Sequence, residues 1–323
     1  MFKDAREKEE YLQKNKVIYD FNKLVKDYFE WDEEGNILLD SSKCCQSIRD
    51  ITNYATCIGW IMLPDGSLAL LKNSLGDVDR RLNLSDYNIA RYNCLLMPEL
   101  ARQFGLESAQ YYFAKRVKNR PKTSLKFILT TDFRNKEKKE ELVEGLDILS
   151  DDNIFSITEI IEQMEDYLIE NGARIEDIEQ CKRDFLKQTL FHKFIEHTDE
   201  NNGNWGIIKD QYNHFQLAPC YDLDCACRIH KTTKKMRQCD NTKTDLQSFI
   251  EQYKEESWLP RYLEEVMEHF SLQEAYKKVE ENTKIKIPEQ ERIRYEAFFQ
   301  EKQKELKKAY ELVIVGEEKG EQR

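Results

Sequence analysis

The repeat of apolar residues changes once along this chain, and that change restricts the fold more than any single motif does. Up to about residue 133 the apolar residues come mainly in short runs bounded by turn formers; beyond it they recur mostly at helical spacing. Residues 57–73, CIGWIMLPDGSLALLKN, read as a hairpin turning at Pro64-Asp65-Gly66. Residues 108–118 and 124–131 read as two more strands, the second being SLKFILTT. Two helical segments interrupt this part. Residues 3–30 carry Tyr11, Val17, Ile18, Phe21, Leu24, Val25 and Phe29 roughly on one stripe, and residues 85–104 have Ser85 as N-cap and Gly105 as terminator. The charged run RNKEKKEE at 134–141 predicts a solvated connection. Beyond it the spacing predicts helices over 156–171, 174–196, 244–256, 258–280 and 287–313. In the second of these, Cys181, Phe185, Leu186, Leu190, Phe191 and Phe194 line one side. Strands first and helices after is the α+β arrangement. It predicts residues 1–133 as one lobe (N-terminal helix, antiparallel sheet, one central helix, a last strand) and 134–323 as a helical one.

A chain of 323 residues suits about two domains or one two-lobed unit. Its 40% hydrophobic content builds a sizeable core, and with only 11 Gly and 6 Pro a long disordered linker is not expected. A net charge of −11 weighs against nucleic acid as a direct partner, since neutralising phosphates needs a basic face. Nine cysteines are an odd count in a long chain, and the opening MFKDAREKEEYLQ has no apolar h-region. With no run of 18 apolar residues, the expectation is a reduced, cytoplasmic protein without a membrane span.

One segment carries chemistry: HTDENNGNWGIIKDQYNHFQLAPCYD, residues 197–222. The helix over 174–196 delivers the chain into a polar loop in which Asn204 follows Asp199 at the fifth position. The runs WGIIKD and HFQLAP then form a hairpin around Asp210-Gln211-Tyr212-Asn213, returning the chain so that Asp222 lies beside Asn204. This is the order of groups phosphoryl transfer uses. Asp199 would orient an attacking hydroxyl and accept its proton, while the Asn204 amide oxygen and the Asp222 carboxylate would hold magnesium on a nucleotide. Gly203 permits a tight backbone just before Asn204.

The Asp-x-x-x-x-Asn-Trp loop, the hairpin and the Ala-Pro-x-Tyr-Asp ending resemble the catalytic core of HipA-like serine/threonine kinases, particularly the compact CtkA-type members. The match is good over about residues 185–229 and weaker over 57–133. The resemblance implies a bilobal protein-kinase-like fold and ATP- and magnesium-dependent phosphorylation of Ser or Thr on a protein, autophosphorylation included. It implies Asp199 and Asn204 as catalytic residues and Asn204 and Asp222 as metal ligands. It further implies a nucleotide-binding lysine, which Lys72 in LALLKNS fits, and a hinge strand whose backbone near Leu129 and Thr131 meets adenine. An antitoxin or other regulatory protein is the partner it suggests.

The chain departs from that pattern in several places. Glu200 and Asn201 follow the catalytic position, where the family commonly has Arg or Gly and then His. Cys94 occupies the expected position of the glutamate that pairs with the lysine; Glu99 is the nearest acid, beside Pro98. No glycine-rich phosphate loop precedes the 57–73 hairpin, and SSKCCQSIRDITNYAT is the candidate substitute through its backbone N–H groups and hydroxyls. These departures keep a pseudokinase or nucleotide-binding regulatory module as the alternative, with a small-molecule kinase on the same core as another. His197 either braces the loop or serves the helix dipole. Cys220, Cys225, Cys227 and Cys239 with His214 and His230 lack the paired Cys-x-x-Cys of a zinc site and read as small buried residues near the loop. The basic run RIHKTTKKMRQ, 228–238, reads as a solvated loop or a substrate-facing segment.

Overall fold

The computed structural model describes residues 32–39, 45–48, 57–62, 68–73, 84–116, 126–135, 137–149, 156–199, 201–227 and 245–320. The expected helix over 3–30, the Pro64-Asp65-Gly66 turn, Glu200 and the basic run 228–238 lie outside the described residues. The chain divides into two compact units. The first takes Met1–Leu95, Ala109–Phe133 and Tyr276–Lys286; the second takes Leu96–Ser108, Arg134–Ala275 and Ile287–Arg323. This partition differs from a single cut after residue 133 in two exchanged segments. Among the described residues, no helix is long and apolar enough to cross a membrane.

The first unit is built on a six-stranded sheet of β1 (Ile37–Leu39), β2 (Cys45–Ile48), β3 (Cys57–Met62), β4 (Leu68–Asn73), β5 (Tyr111–Arg116) and β6 (Lys126–Thr131), in the order β1-β5-β6-β4-β3-β2. The expected β3–β4 hairpin is present, with Cys57 opposite Lys72 and Met62 opposite Leu68. Helix α1 (Leu84–Gln103) begins one residue before Ser85, which therefore sits inside its first turn rather than capping it. Ile89, Ala90 and Cys94 of this helix are buried, as are Tyr112, Phe113, Ile128 and Leu129 of the sheet. The Arg91 guanidinium lies 3.9 Å over the Phe113 ring. The sheet is not purely antiparallel, because β1 pairs with β5 in parallel. Three residues give too short an apolar run to signal a strand in the sequence; pairing with β5 creates it.

The second unit contains α2 (Gly145–Ile148), α3 (Ile157–Glu170), α4 (Ile175–Phe194), α5 (Leu246–Gln252) and α6 (Leu259–His269). Helix α7 (Leu272–Thr283) belongs to it through Ala275, and α8 (Glu289–Gly320) completes it. Helix α3 starts with a capping box: the Ser156 side chain accepts from the Glu159 N–H and Glu159 accepts from the Ser156 N–H. Around the end of α4 the rings form one cluster. Phe104 lies 5.0 Å from both Phe191 and Phe194, and Phe194 lies 5.2 Å from Phe270. The Phe104 carbonyl accepts from the Tyr262 hydroxyl at 2.7 Å.

Two expectations are corrected here. The helix expected over 258–280 is two helices, because the Ser271 hydroxyl accepts from the Glu274 N–H and caps a new one. The stretch after the charged run is a strand, β7 (Glu141–Glu144), paired with β8 (Gly206–Lys209), which pairs in turn with β9 (Phe215–Leu217). ELVE is too short and too acidic to announce itself. A Cβ at Gly145, just after β7, would run into the Trp205 ring, so only glycine lets the two approach and the Gly145 N–H donate to the Trp205 carbonyl at 2.9 Å.

The start of α4 is tied to β9 by one buried carboxylate. Asp177 accepts from Arg174 Nη2 at 2.7 Å and Nε at 3.2 Å, and from the Phe215 N–H at 3.4 Å. The Arg174 bonds are the main reason its pKa is lowered from 3.8. A carboxylate depressed on folding stabilises fully above its unfolded pKa, and that contribution is lost as pH falls through the folded value. Asp177→Ala is expected to cost about 2 kcal/mol at pH 7. In urea titrations across pH, the gap to wild type should close as pH drops below 3.8; a gap independent of pH would refute the assignment.

Candidate active site

Helix α4 ends in a Schellman motif: the Glu196 N–H reaches the Lys193 carbonyl at 3.2 Å and the His197 N–H reaches the His192 carbonyl at 2.9 Å. Helix α1 ends in the same way at Gly105 (φ +67), the conformation glycine supplies without steric cost. In α4 the left-handed position is filled by Glu196 at φ 45. That turn sends the chain straight into the polar loop.

The loop is folded on its own amides. The Asp199 carbonyl accepts from Asn204 Nδ2 at 2.6 Å and Asn201 Nδ2 at 3.0 Å, and Asn201 Oδ1 accepts from the Gly203 N–H at 2.9 Å. Asn201 therefore closes the loop by neutral hydrogen bonding. With its Nδ2 committed to the Asp199 carbonyl, buried Asn204 has Oδ1 as its other polar side-chain atom. Asp199 itself is exposed.

The β8–β9 hairpin brings the chain back onto this loop. The Tyr221 hydroxyl donates to the Gly203 carbonyl at 3.1 Å, and His197 Nε2 lies 3.0 Å from the Asp222 carbonyl oxygen. The Thr198 N–H and hydroxyl both reach the Cys225 carbonyl, at 3.1 and 3.0 Å, and the Cys227 N–H reaches the Ile195 carbonyl at 2.8 Å. Of the two roles open to His197, this contact is the bracing one. Asp222 is left-handed (φ 58, ψ 43) and opens a 3-10 turn, Leu223–Cys225. Asp and Asn adopt that region more readily than other non-glycine residues, and such backbone strain gathers at functional sites.

Three acids share this corner. The Cys225 thiol is pushed well up, first by burial and then by the negative charges of Asp224, Asp199 and Asp222. Burial pushes Cys220 up to about 12. Both are inert, neutral thiols. Asp224, buried beside Asp222, had no signal in the sequence beyond its proximity. Among the described residues no three His, Cys, Asp or Glu side chains converge as a metal cage. The two donors expected from the sequence, the Asn204 amide oxygen and the Asp222 carboxylate, are hard oxygen ligands of the kind magnesium takes alongside phosphate oxygens and water.

Of the remaining expected residues, Lys72, Leu129, Thr131 and Cys94 belong to the first unit and Glu99 to the second. Lys72 is buried on β4, opposite Cys57 on one side and Ile128 on the other. Leu129 is fully buried with strands on both sides, opposite Leu71 and Tyr112, so its backbone groups serve the sheet. Thr131 pairs with Ala69 but lies beyond the last β5 pair, Tyr111 with Thr130. The Cys94 thiol donates to the Ala90 carbonyl at 3.7 Å, and Glu99 is ion-paired with Arg102 at 2.9 Å.

No protein family profile and no curated protein matches the sequence. Solved structures do. The chain is similar to the crystal structure of a Helicobacter pylori proinflammatory kinase, CtkA, at 13% identity and a TM-score of 0.56, over 87% of this chain and 98% of that one. It is more distantly similar to the Shewanella oneidensis MR-1 toxin–antitoxin complex of HipA, HipB and operator DNA, at 12% identity and a TM-score of 0.38, over 76% of this chain and 57% of that one. The first similarity shows the fold: this is an α+β protein with the kinase-like fold of CtkA.

The left-handed Glu196 is also ion-paired. Lys302 of α8, its side chain only 5% exposed, meets the Glu196 carboxylate at 2.7 Å and also pairs with Glu305. A buried lysine is costly unless paired, and removing one partner strands the other. Lys302→Met is expected to cost about 3 kcal/mol in urea unfolding. The double variant with Glu196→Gln should recover part of that loss; a double variant as unstable as the two single losses summed would place the cost in packing instead.

Proposed function

We propose that this protein is a HipA-like kinase that moves the γ-phosphoryl group of ATP to a Ser or Thr hydroxyl of a protein. The observation that carries this reading is the joining of the Asp199–Asn204 loop to the Asp222 turn through Tyr221, His197 and Thr198. In this reading the exposed Asp199 carboxylate orients the attacking hydroxyl. A bond forms from that oxygen to phosphorus, the bond to the ADP oxygen breaks, and the hydroxyl proton passes to Asp199. Asn204 Oδ1 and the Asp222 carboxylate would hold magnesium, which when bound supplies positive charge to the phosphate oxygens. His197 and Asn201 fix the loop, so the donors need no rearrangement during transfer. Lys72 would meet the α- and β-phosphates as a point charge, and the backbone at the Thr131 end of β6 would meet adenine. Residues 1–133 then form the nucleotide-holding lobe and 134–323 the catalytic one.

Labelled ATP and magnesium test this directly. Wild type is expected to label itself or an added Ser/Thr protein, and Asp199→Asn and Asp222→Asn should each lower the rate by about 10²–10⁴-fold. Equal labelling by all three proteins would overturn the proposal. A nucleotide-dependent rise in Tm without any transfer would assign a nucleotide-binding regulatory module instead.

A further inference from the structure

Behind the loop, on the side facing α4, is a cavity of about 10 Å³. Its walls include Gln188, Thr189 and His192 of α4 and Asn201, Asn204 and Trp205 of the loop. Gln188 is 2% exposed and Trp205 5%. Neither Gln188 Nε2, Gln188 Oε1 nor Trp205 Nε1 has a hydrogen-bond partner among the described residues. Buried polar atoms left in that state are costly, and native proteins pair nearly all of them. The indole is not placed there by default. Its ring is fixed by Phe185, 5.1 Å away and edge-on, and by the close approach of Gly145.

Size and chemistry together identify what pairs these atoms. A space of about 10 Å³ holds roughly one water-sized ligand. The indole N–H only donates, and the glutamine amide both donates and accepts. A cation would face the indole donor, and a halide would leave the amide oxygen unserved. Water accepts from the indole and serves the amide whichever way it is turned. We infer that one resident water molecule joins Trp205 Nε1 to the Gln188 amide, making Gln188 a positioning residue for Asn204. The water sits between the rigid helix α4 and the residue that follows Asn204 in the chain. It fixes where Asn204 Oδ1 points. This last step rests on the reading of Asn204 as a magnesium ligand; the water site itself does not.

Two measurements on the full chain separate these claims. In protein labelled with ¹⁵N-tryptophan, the Trp205 indole signal, identified by its loss in Trp205→Phe, should show a magnetisation transfer from long-lived bound water. Gln188→Met, which keeps the length but not the polar atoms, should abolish that transfer. The second measurement is the magnesium concentration that half-saturates the Tm rise given by a non-hydrolysable ATP analogue, which needs no turnover. It should increase about tenfold in Gln188→Met, the usual effect of losing a group that orients a ligand. Gln188→Glu, which restores hydrogen bonding to the water, should recover most of it. Should Gln188→Met fail to fold, Trp205→Phe removes the indole donor along with part of the ring and should show the same increase. A dry indole in wild type overturns the water site. An unchanged magnesium requirement in a folded variant overturns the positioning role. A wet indole in a wild-type protein that transfers no phosphate overturns the kinase reading and leaves the water site standing.

Discussion

The exchange of hydrogen bonds between the end of α4 and the turn after β9 organises the corner that holds Asp199 and Asp222. Ile195 and Thr198 on one side meet Cys227 and Cys225 on the other, with His197 reaching Asp222 between them. Two irregular segments thus satisfy each other's backbone groups, as a buried loop must. The geometry is strained. Glu196, Asp222 and Cys227 are all left-handed without being glycine, at about 1–3 kcal/mol each. Such a turn persists only where its surroundings over-determine it.

Those surroundings are visible. The ring cluster of Phe104, Phe191, Phe194 and Phe270 fixes the end of α4. Lys302 holds Glu196, and the contact of Gly145 with Trp205 fixes the exit of the loop into β8. The result concentrates negative charge. Asp199, Asp222 and Asp224 all act on the Cys225 thiol, so each carboxylate is held near others of its own sign. Strain and charge thus point to the same place.

Much of the second unit was legible along the chain, because its signals are local. Ser156 and Glu159 form a capping box three residues apart, and the apolar stripe of α4 repeats within two turns. The β8–β9 hairpin follows from two apolar runs around a polar turn. The same logic failed where a signal was too short or was overridden. Ser271 interrupts an otherwise continuous helical pattern with a cap, and ELVE becomes a strand only because β8 offers it a partner. Ile37–Leu39 is a strand only beside β5.

The sequence by itself determined the α+β order of elements, the β8–β9 hairpin, and the spacing of Asp199, Asn204 and Asp222. Each depends on residues within a few positions of one another. Only the tertiary structure decided that Glu196 is left-handed, that Asp224 shares the acidic corner, and that Gln188 and Trp205 enclose one small polar cavity. Those outcomes are set by partners brought from elsewhere in the second unit, such as Lys302 and Gly145. Burial and close approach between distant segments have no period or spacing that a linear chain displays.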